Sequence, residues 1–147
     1  MVAMDPCSPM RIIFTDFDGV LHATSGPAAS MRQFVWLPQL LQLLEGHGDV
    51  RLVIHASARQ SSPGSFLVQR LGAAASICLG VTDPKLARWP SIAHWLSSHP
   101  EVRRFCILDD MPSEFPKPAP AELIVCDGRT GVSSPEIQEQ LRQWLVP

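Results

Sequence analysis

The chain has 147 residues, 46% hydrophobic and 18% charged, a size that fits a single domain, residues 1–147, around one core. With 12 Lys+Arg against 14 Asp+Glu, the net charge is −2, which excludes the basic footprint of general nucleic-acid or anionic-membrane binding. No apolar run approaches the roughly 20 residues of a membrane span, so a soluble, cytoplasmic protein without a membrane partner is expected.

Taken in chain order, MVAMDPCSPM has neither the basic nor the long apolar region of a secretory signal. RIIF (11–14) reads as a strand. LPQLLQLLEGHG follows as a helix, with Pro38 near its start and Gly46 as its stop. VRLVIHA (50–56) is the second strand, PGSFLVQRLG a helix ending at Gly72, and SICLG (76–80) the third strand. SIAHWLSSHP is a helix ending before Pro100, followed by RFCIL (104–108) and AELIVC (121–126) as strands four and five. Between these last two, MPSEFPKPAP (111–120) has too many prolines for regular structure and predicts a stiff loop. SPEIQEQLRQWL is the last helix, with Ser134 as N-cap and Pro135 at the first helical position.

Strands apolar on both faces, alternating with helices, predict an α/β fold: a three-layer, doubly wound (Rossmann-like) sheet of about five parallel strands. The cysteines Cys7, Cys78, Cys106 and Cys126 show no CxxC pairing and read as reduced, with three of them in strand-like runs. Trp36, Trp89, Trp95 and Trp144 lie on or beside helices and read as core. His22, His47, His94 and His99 lack metal-ligand spacing and read as surface or structural residues.

In such sheets function gathers beyond the carboxyl ends of the strands, where strand order reverses. Asp16 and Asp18 follow the first strand, and Asp109 and Asp110 follow the fourth. If those strands are neighbours, four carboxylates meet in one crevice. Their mutual repulsion calls for a divalent cation, and an all-oxygen donor set favours Mg²⁺ over zinc.

IIFTDFDGVL resembles the first motif, Asp-x-Asp-Gly-Thr/Val, of the haloacid dehalogenase-like (HAD-like) hydrolases. RLVIHASAR resembles their second motif, an apolar strand ending in Ser or Thr. ARWPSIAHWL resembles the third, a basic residue opening a helix, and CILDD the acidic fourth. The tail CDGRTGVSSPEIQEQLRQWL is similar to that of small, capless members.

The resemblance implies that Asp16 is a nucleophile attacking phosphorus, and that Asp18 is the general acid and then the base for water. It implies Mg²⁺ held by the Asp16 side chain, the Asp18 carbonyl and Asp109, with Asp110 in support; Asp109 is favoured over Asp110 for direct contact. Ser57 fills the phosphate-binding hydroxyl position, with His55 the alternative in another register. Arg88 fills the basic position, with Lys85 its competitor. At four and seven residues before Ile92 and Trp95, Arg88 shares their side of a helix. Arg59 is a further candidate contact for phosphate or a neighbouring acid.

Only 38 residues (19–56) separate Asp18 from Ser57, and 30 (58–87) separate Ser57 from Arg88. Neither interval holds a cap domain, so the site is expected to be open, with HATSGPAAS (22–30) as a partial lid. The resulting expectation is a Mg²⁺-dependent phosphomonoester hydrolase for a large or exposed substrate of unspecified identity. Three alternatives stand beside it: a catalytically weak binding or regulatory module, a polynucleotide-end phosphatase, and a phosphotransferase. The oligomeric state is not readable.

Overall fold

The computed structural model describes residues 9–147. Five strands, β1 (Met10–Thr15), β2 (Val50–Ile54), β3 (Cys78–Val81), β4 (Val102–Asp109) and β5 (Leu123–Val125), form one sheet in the order β3-β2-β1-β4-β5. Every pairing is parallel. The chain winds outward from β1 to β3 and then returns to the other side of β1 at β4. This reversal sets the carboxyl ends of β1 and β4 side by side, with Thr15 opposite Leu108.

Four helices cover the sheet: α1 (Leu37–Leu44), α2 (Gly64–Arg70), α3 (Arg88–Ser97) and α4 (Pro135–Leu145). Alternation along the strands sorts the core into two layers. Ile13 of β1 and Leu52 and Ile54 of β2 pack with Leu40 of α1, Leu67 of α2 and Leu141 of α4. Ile12 and Phe14, Val53 and Ile107 point the other way, onto Ile92 of α3 and Phe115 of the proline-rich loop. Each such fully buried aliphatic or aromatic side chain is worth about 1.5–3 kcal/mol. Buried Arg11 ties the opposite end of β1 to α4, bonding Asp49 at 2.7 and 3.0 Å and the Leu145 carbonyl at 2.7 Å.

Several element boundaries differ from the sequence reading. α3 begins at Arg88 rather than Ser91, because Pro90 falls in the first turn, where no backbone N–H is needed. Ser76 and Ile77 close a 3₁₀ segment (Gly72–Ile77) instead of starting β3, whose residues are half-buried or exposed because it is a sheet edge. β5 shortens to three residues. Ser134 occupies the N-cap of α4, but its side chain makes no capping bond.

Trp36 is buried in the core, while Trp89, Trp95 and Trp144 are half-buried against it. Cys78, Cys106 and Cys126 are free thiols, and Cys7 lies outside the described residues. Between β1 and β2 run only a loop, one 3₁₀ turn (Ala28–Met31) and α1; between β2 and β3 run α2 and two 3₁₀ segments. Neither connection carries a cap. Among the described residues no helix is long and apolar enough to cross a membrane.

Candidate active site

The parity of the strands decides which side chains meet. Asp16 continues the Ile12–Phe14 face of β1, His55 the Val53 face of β2, and Asp109 the Ile107 face of β4. All three therefore turn toward α3, whose first residue is Arg88. Arg88 Nη1 donates to Asp16 Oδ2 at 2.9 Å and to both Asp109 oxygens at 2.8 Å. His55 Nε2 donates to Asp109 Oδ2 at 2.8 Å, and the Met111 N–H to Asp109 Oδ1 at 2.8 Å. The Phe17 N–H donates to Asp16 Oδ1 at 2.8 Å.

Burial, reinforced by Asp109, pushes the Asp16 carboxyl up to about 7, against the opposing pull of Arg88. Burial would also raise Asp109, but its donors His55, Met111 N–H and Arg88 outweigh it and hold the group below the ordinary carboxylate range. Burial lowers His55 and keeps it neutral. With its proton on Nε2 toward Asp109, His55 has a bare Nδ1 that finds no partner among the described residues.

Asp18 lives in a different environment. Its side chain is 73% exposed, against 4% for Asp16, and it lines an open cavity of about 230 Å³ together with Ser57 and Arg70. His22 fixes its orientation. The Phe34 N–H donates to His22 Nδ1 at 3.3 Å, which leaves the proton on Nε2 to be donated to Asp18 Oδ1 at 2.7 Å. Phe34 supports this from a left-handed backbone (φ 58°), packing edge-on against Phe17.

Asp16, Asp109 and Asp110 each offer an oxygen within 4.8 Å of the others. Burial and Asp109 also raise Asp110. Gly19 (φ 79°) and Gly128 clear the space around it: a Cβ at either position would press on Asp110 Oδ2. An oxygen-only cluster with two carboxyls raised by crowding fits a hard divalent cation. Asp109 already accepts through both oxygens, from Arg88, His55 and the Met111 N–H. Asp109 and Asp110 both stay with Asp16 in the oxygen cluster, and Asp109 carries the denser set of protein donors.

The remaining candidates separate as follows. Ser57 opens a 3₁₀ turn (Ser57–Gln60) and faces the Asp18 cavity, while His55 is buried beneath it. Lys85 is exposed, outside the acidic cluster. Arg59, expected to contact phosphate or a neighbouring acid, hydrogen-bonds no acid side chain among the described residues. It is buried and donates to the carbonyls of His55 at 2.8 Å, Ala56 at 3.1 Å and Leu86 at 2.5 Å, clamping the loop that presents Arg88. The 22–30 loop is exposed after Ala23 and is tied to the β5–α4 connection through Thr24, whose N–H donates to the Gly128 carbonyl at 2.9 Å. His22 and Arg70 were missed; a histidine four residues after Asp18 was the one available signal, and Arg70 left none. Burial pushes the Cys126 thiol up to about 12, so it is no nucleophile at neutral pH.

A doubly wound parallel sheet, with paired acids at the ends of its two central strands and an arginine heading the helix beside them, defines a HAD-like domain. Within that class, the family model described as the HAD domain in Swiss Army Knife RNA repair proteins matches residues 12–137, and the chain belongs to this family. The match spans Asp16, Asp18, Ser57, Arg88, Asp109 and Asp110. No curated protein and no solved structure matches the chain.

Proposed function

We propose that this domain is a Mg²⁺-dependent phosphomonoester hydrolase acting through an aspartyl-phosphate, with a polynucleotide end as the bulky part of its substrate. The observation that carries the reading is the division between two neighbouring carboxylates: Asp16 buried against Arg88, Asp18 exposed in an open cavity. The family's description as a domain of RNA repair proteins supports the choice of substrate.

Asp16 attacks phosphorus as its carboxylate, and the bond from phosphorus to the leaving oxygen breaks as Asp18 protonates that oxygen. Asp18, now ionised, takes a proton from water as the water oxygen attacks the phosphoryl group. The bond to Asp16 breaks, orthophosphate leaves, and Asp18 is again protonated. Arg88 neutralises charge on Asp16 and the phosphoryl oxygens, and Ser57 donates to one of those oxygens. Asp16, Asp109 and Asp110 would hold Mg²⁺; when bound, the cation offsets the repulsion between carboxylate and phosphate. Holding Asp16 ionised is a real need, since its carboxyl titrates at about 7.

A catalytically weak binding module is the second reading. Arg88 favours it, because it already pairs with both Asp16 and Asp109. Phosphate release from p-nitrophenyl phosphate and from end-phosphorylated oligonucleotides, with and without Mg²⁺, separates the two readings. Turnover that needs Mg²⁺ and disappears in Asp16→Asn supports the hydrolase. Retained binding of the oligonucleotides without any turnover supports the module.

A further inference from the structure

Arg70, the last residue of α2, is a guanidinium with no ionic partner among the described residues. No described carboxylate pairs with it, yet it is held in place, 5.7 Å from the ring centroids of both Phe34 and Phe66. Such a double cation–π clamp fixes an arginine while leaving its N–H donors free. The half-buried side chain lines the same cavity as Asp18 and Ser57. On its other side it borders an apolar hollow of about 530 Å³, floored by Phe34, Leu37, Pro38 and Leu41.

The transferring phosphoryl group is already provided for by Arg88, Ser57 and the acidic cluster. Asp18 delivers its proton to the leaving oxygen, so the leaving group lies in or across the cavity that Asp18 shares with Arg70. We infer that Arg70 forms a second anion subsite, which binds the phosphodiester next to the terminal phosphomonoester of a polynucleotide while the attached nucleoside covers the apolar hollow. A guanidinium matches a phosphodiester through paired N–H bonds, and a flat base suits an apolar hollow lined by Phe34, Leu37, Pro38 and Leu41. One fixed cation beside the site also reconciles a chain of net charge −2 with an anionic polymer, since only the end of the polymer is held. The inference rests on the hydrolase reading above for the identity of the leaving-group side.

The test compares two end-phosphorylated dinucleotides of one sequence, the first with its natural phosphodiester and the second with an uncharged methylphosphonate link. The wild-type protein is expected to favour the charged link by about tenfold or more in kcat/KM, mostly through KM. In Arg70→Gln that ratio is expected to fall to about one, with Arg70→Lys between the two. A ratio unchanged by Arg70→Gln, or a wild-type ratio near one, overturns the subsite. A phosphopeptide with a neighbouring acid that shows the Arg70 dependence in place of the dinucleotides overturns the nucleotide assignment. Equilibrium binding of the same two dinucleotides in the Asp16→Asn background reads the ratio without chemistry. Absence of turnover by the wild type therefore defeats the hydrolase reading alone, while the binding ratio still decides Arg70.

Discussion

The two halves of the site are built on opposite terms. On the α3 side, Asp16, Asp109, His55 and Arg88 are joined in one network in which both Asp109 oxygens accept hydrogen bonds. On the open side, Asp18 is exposed, held by a single bond from His22, and Ser57 and Arg70 line a cavity beside it. The difference teaches where precision and access are each needed. On the proposed hydrolase reading, a group that attacks phosphorus in line benefits from a rigid wall, whereas a group that meets leaving oxygens and water must stay reachable. It also means that changes to the wall alter stability and chemistry together, while changes to the open side alter chemistry alone.

The largest effect belongs to Asp16→Asn. Phosphate release is expected to fall by at least about a thousandfold, because the amide cannot take its place as nucleophile. The same variant should be more stable at pH 8. Between the unfolded value of 3.8 and the folded value of about 7, the folded chain keeps a proton that the unfolded chain has released, so stability falls as pH rises through that window. Asparagine removes that loss, and urea titration should show a gain of about 2–4 kcal/mol at pH 8 that vanishes below pH 4.

Asp18→Asn is expected to lower kcat by about a hundredfold to ten-thousandfold while leaving stability within about 0.5 kcal/mol. Loss of stability comparable to that of a wall variant would erase the contrast. Asp109→Ala tests the wall directly. It leaves the buried His55 Nε2–H without its acceptor and half-buried Arg88 with Asp16 alone, and urea denaturation should show a loss of about 1–3 kcal/mol. His22→Ala frees the Asp18 side chain and is expected to reduce kcat about tenfold with KM little changed, with His22→Gln restoring part of the rate through its own N–H. The smallest effect concerns the cation. At pH 8, Mg²⁺ should raise the melting temperature by about 2–4 °C in the wild type, and by less in Asp110→Asn, read by thermal denaturation.

Much of this was legible because it is local. Asp16 with Asp18, and Asp109 with Asp110, stand at the ends of apolar runs, and the alternation of strands and helices puts those ends at one edge of a parallel sheet. The choice between His55 and Ser57 was not local. It turns on where β2 stops and which parity its next residue inherits, and that parity buries His55 under Asp109. Arg59 reads in sequence like any basic residue after a phosphate-binding motif; in the fold its guanidinium is consumed by the local carbonyls of His55 and Ala56 together with those of Asp83 and Leu86 in the 83–86 loop. Asp109 and Asp110 are adjacent acids, and the denser set of donors on Asp109 comes from residues 55, 88 and 111.

By itself, then, the sequence determined the layered α/β architecture and the chemical kinds of residue at the site, because hydrophobic periodicity and strand-end adjacency act over a few residues at a time. The tertiary structure alone decided how each of those residues is employed. Commitment of an oxygen or a guanidinium is a matter of burial and of partners far along the chain: Arg88 reaches Asp16 across 72 positions, and Arg70 at the end of α2 meets two aromatic rings and, among the described residues, no carboxylate.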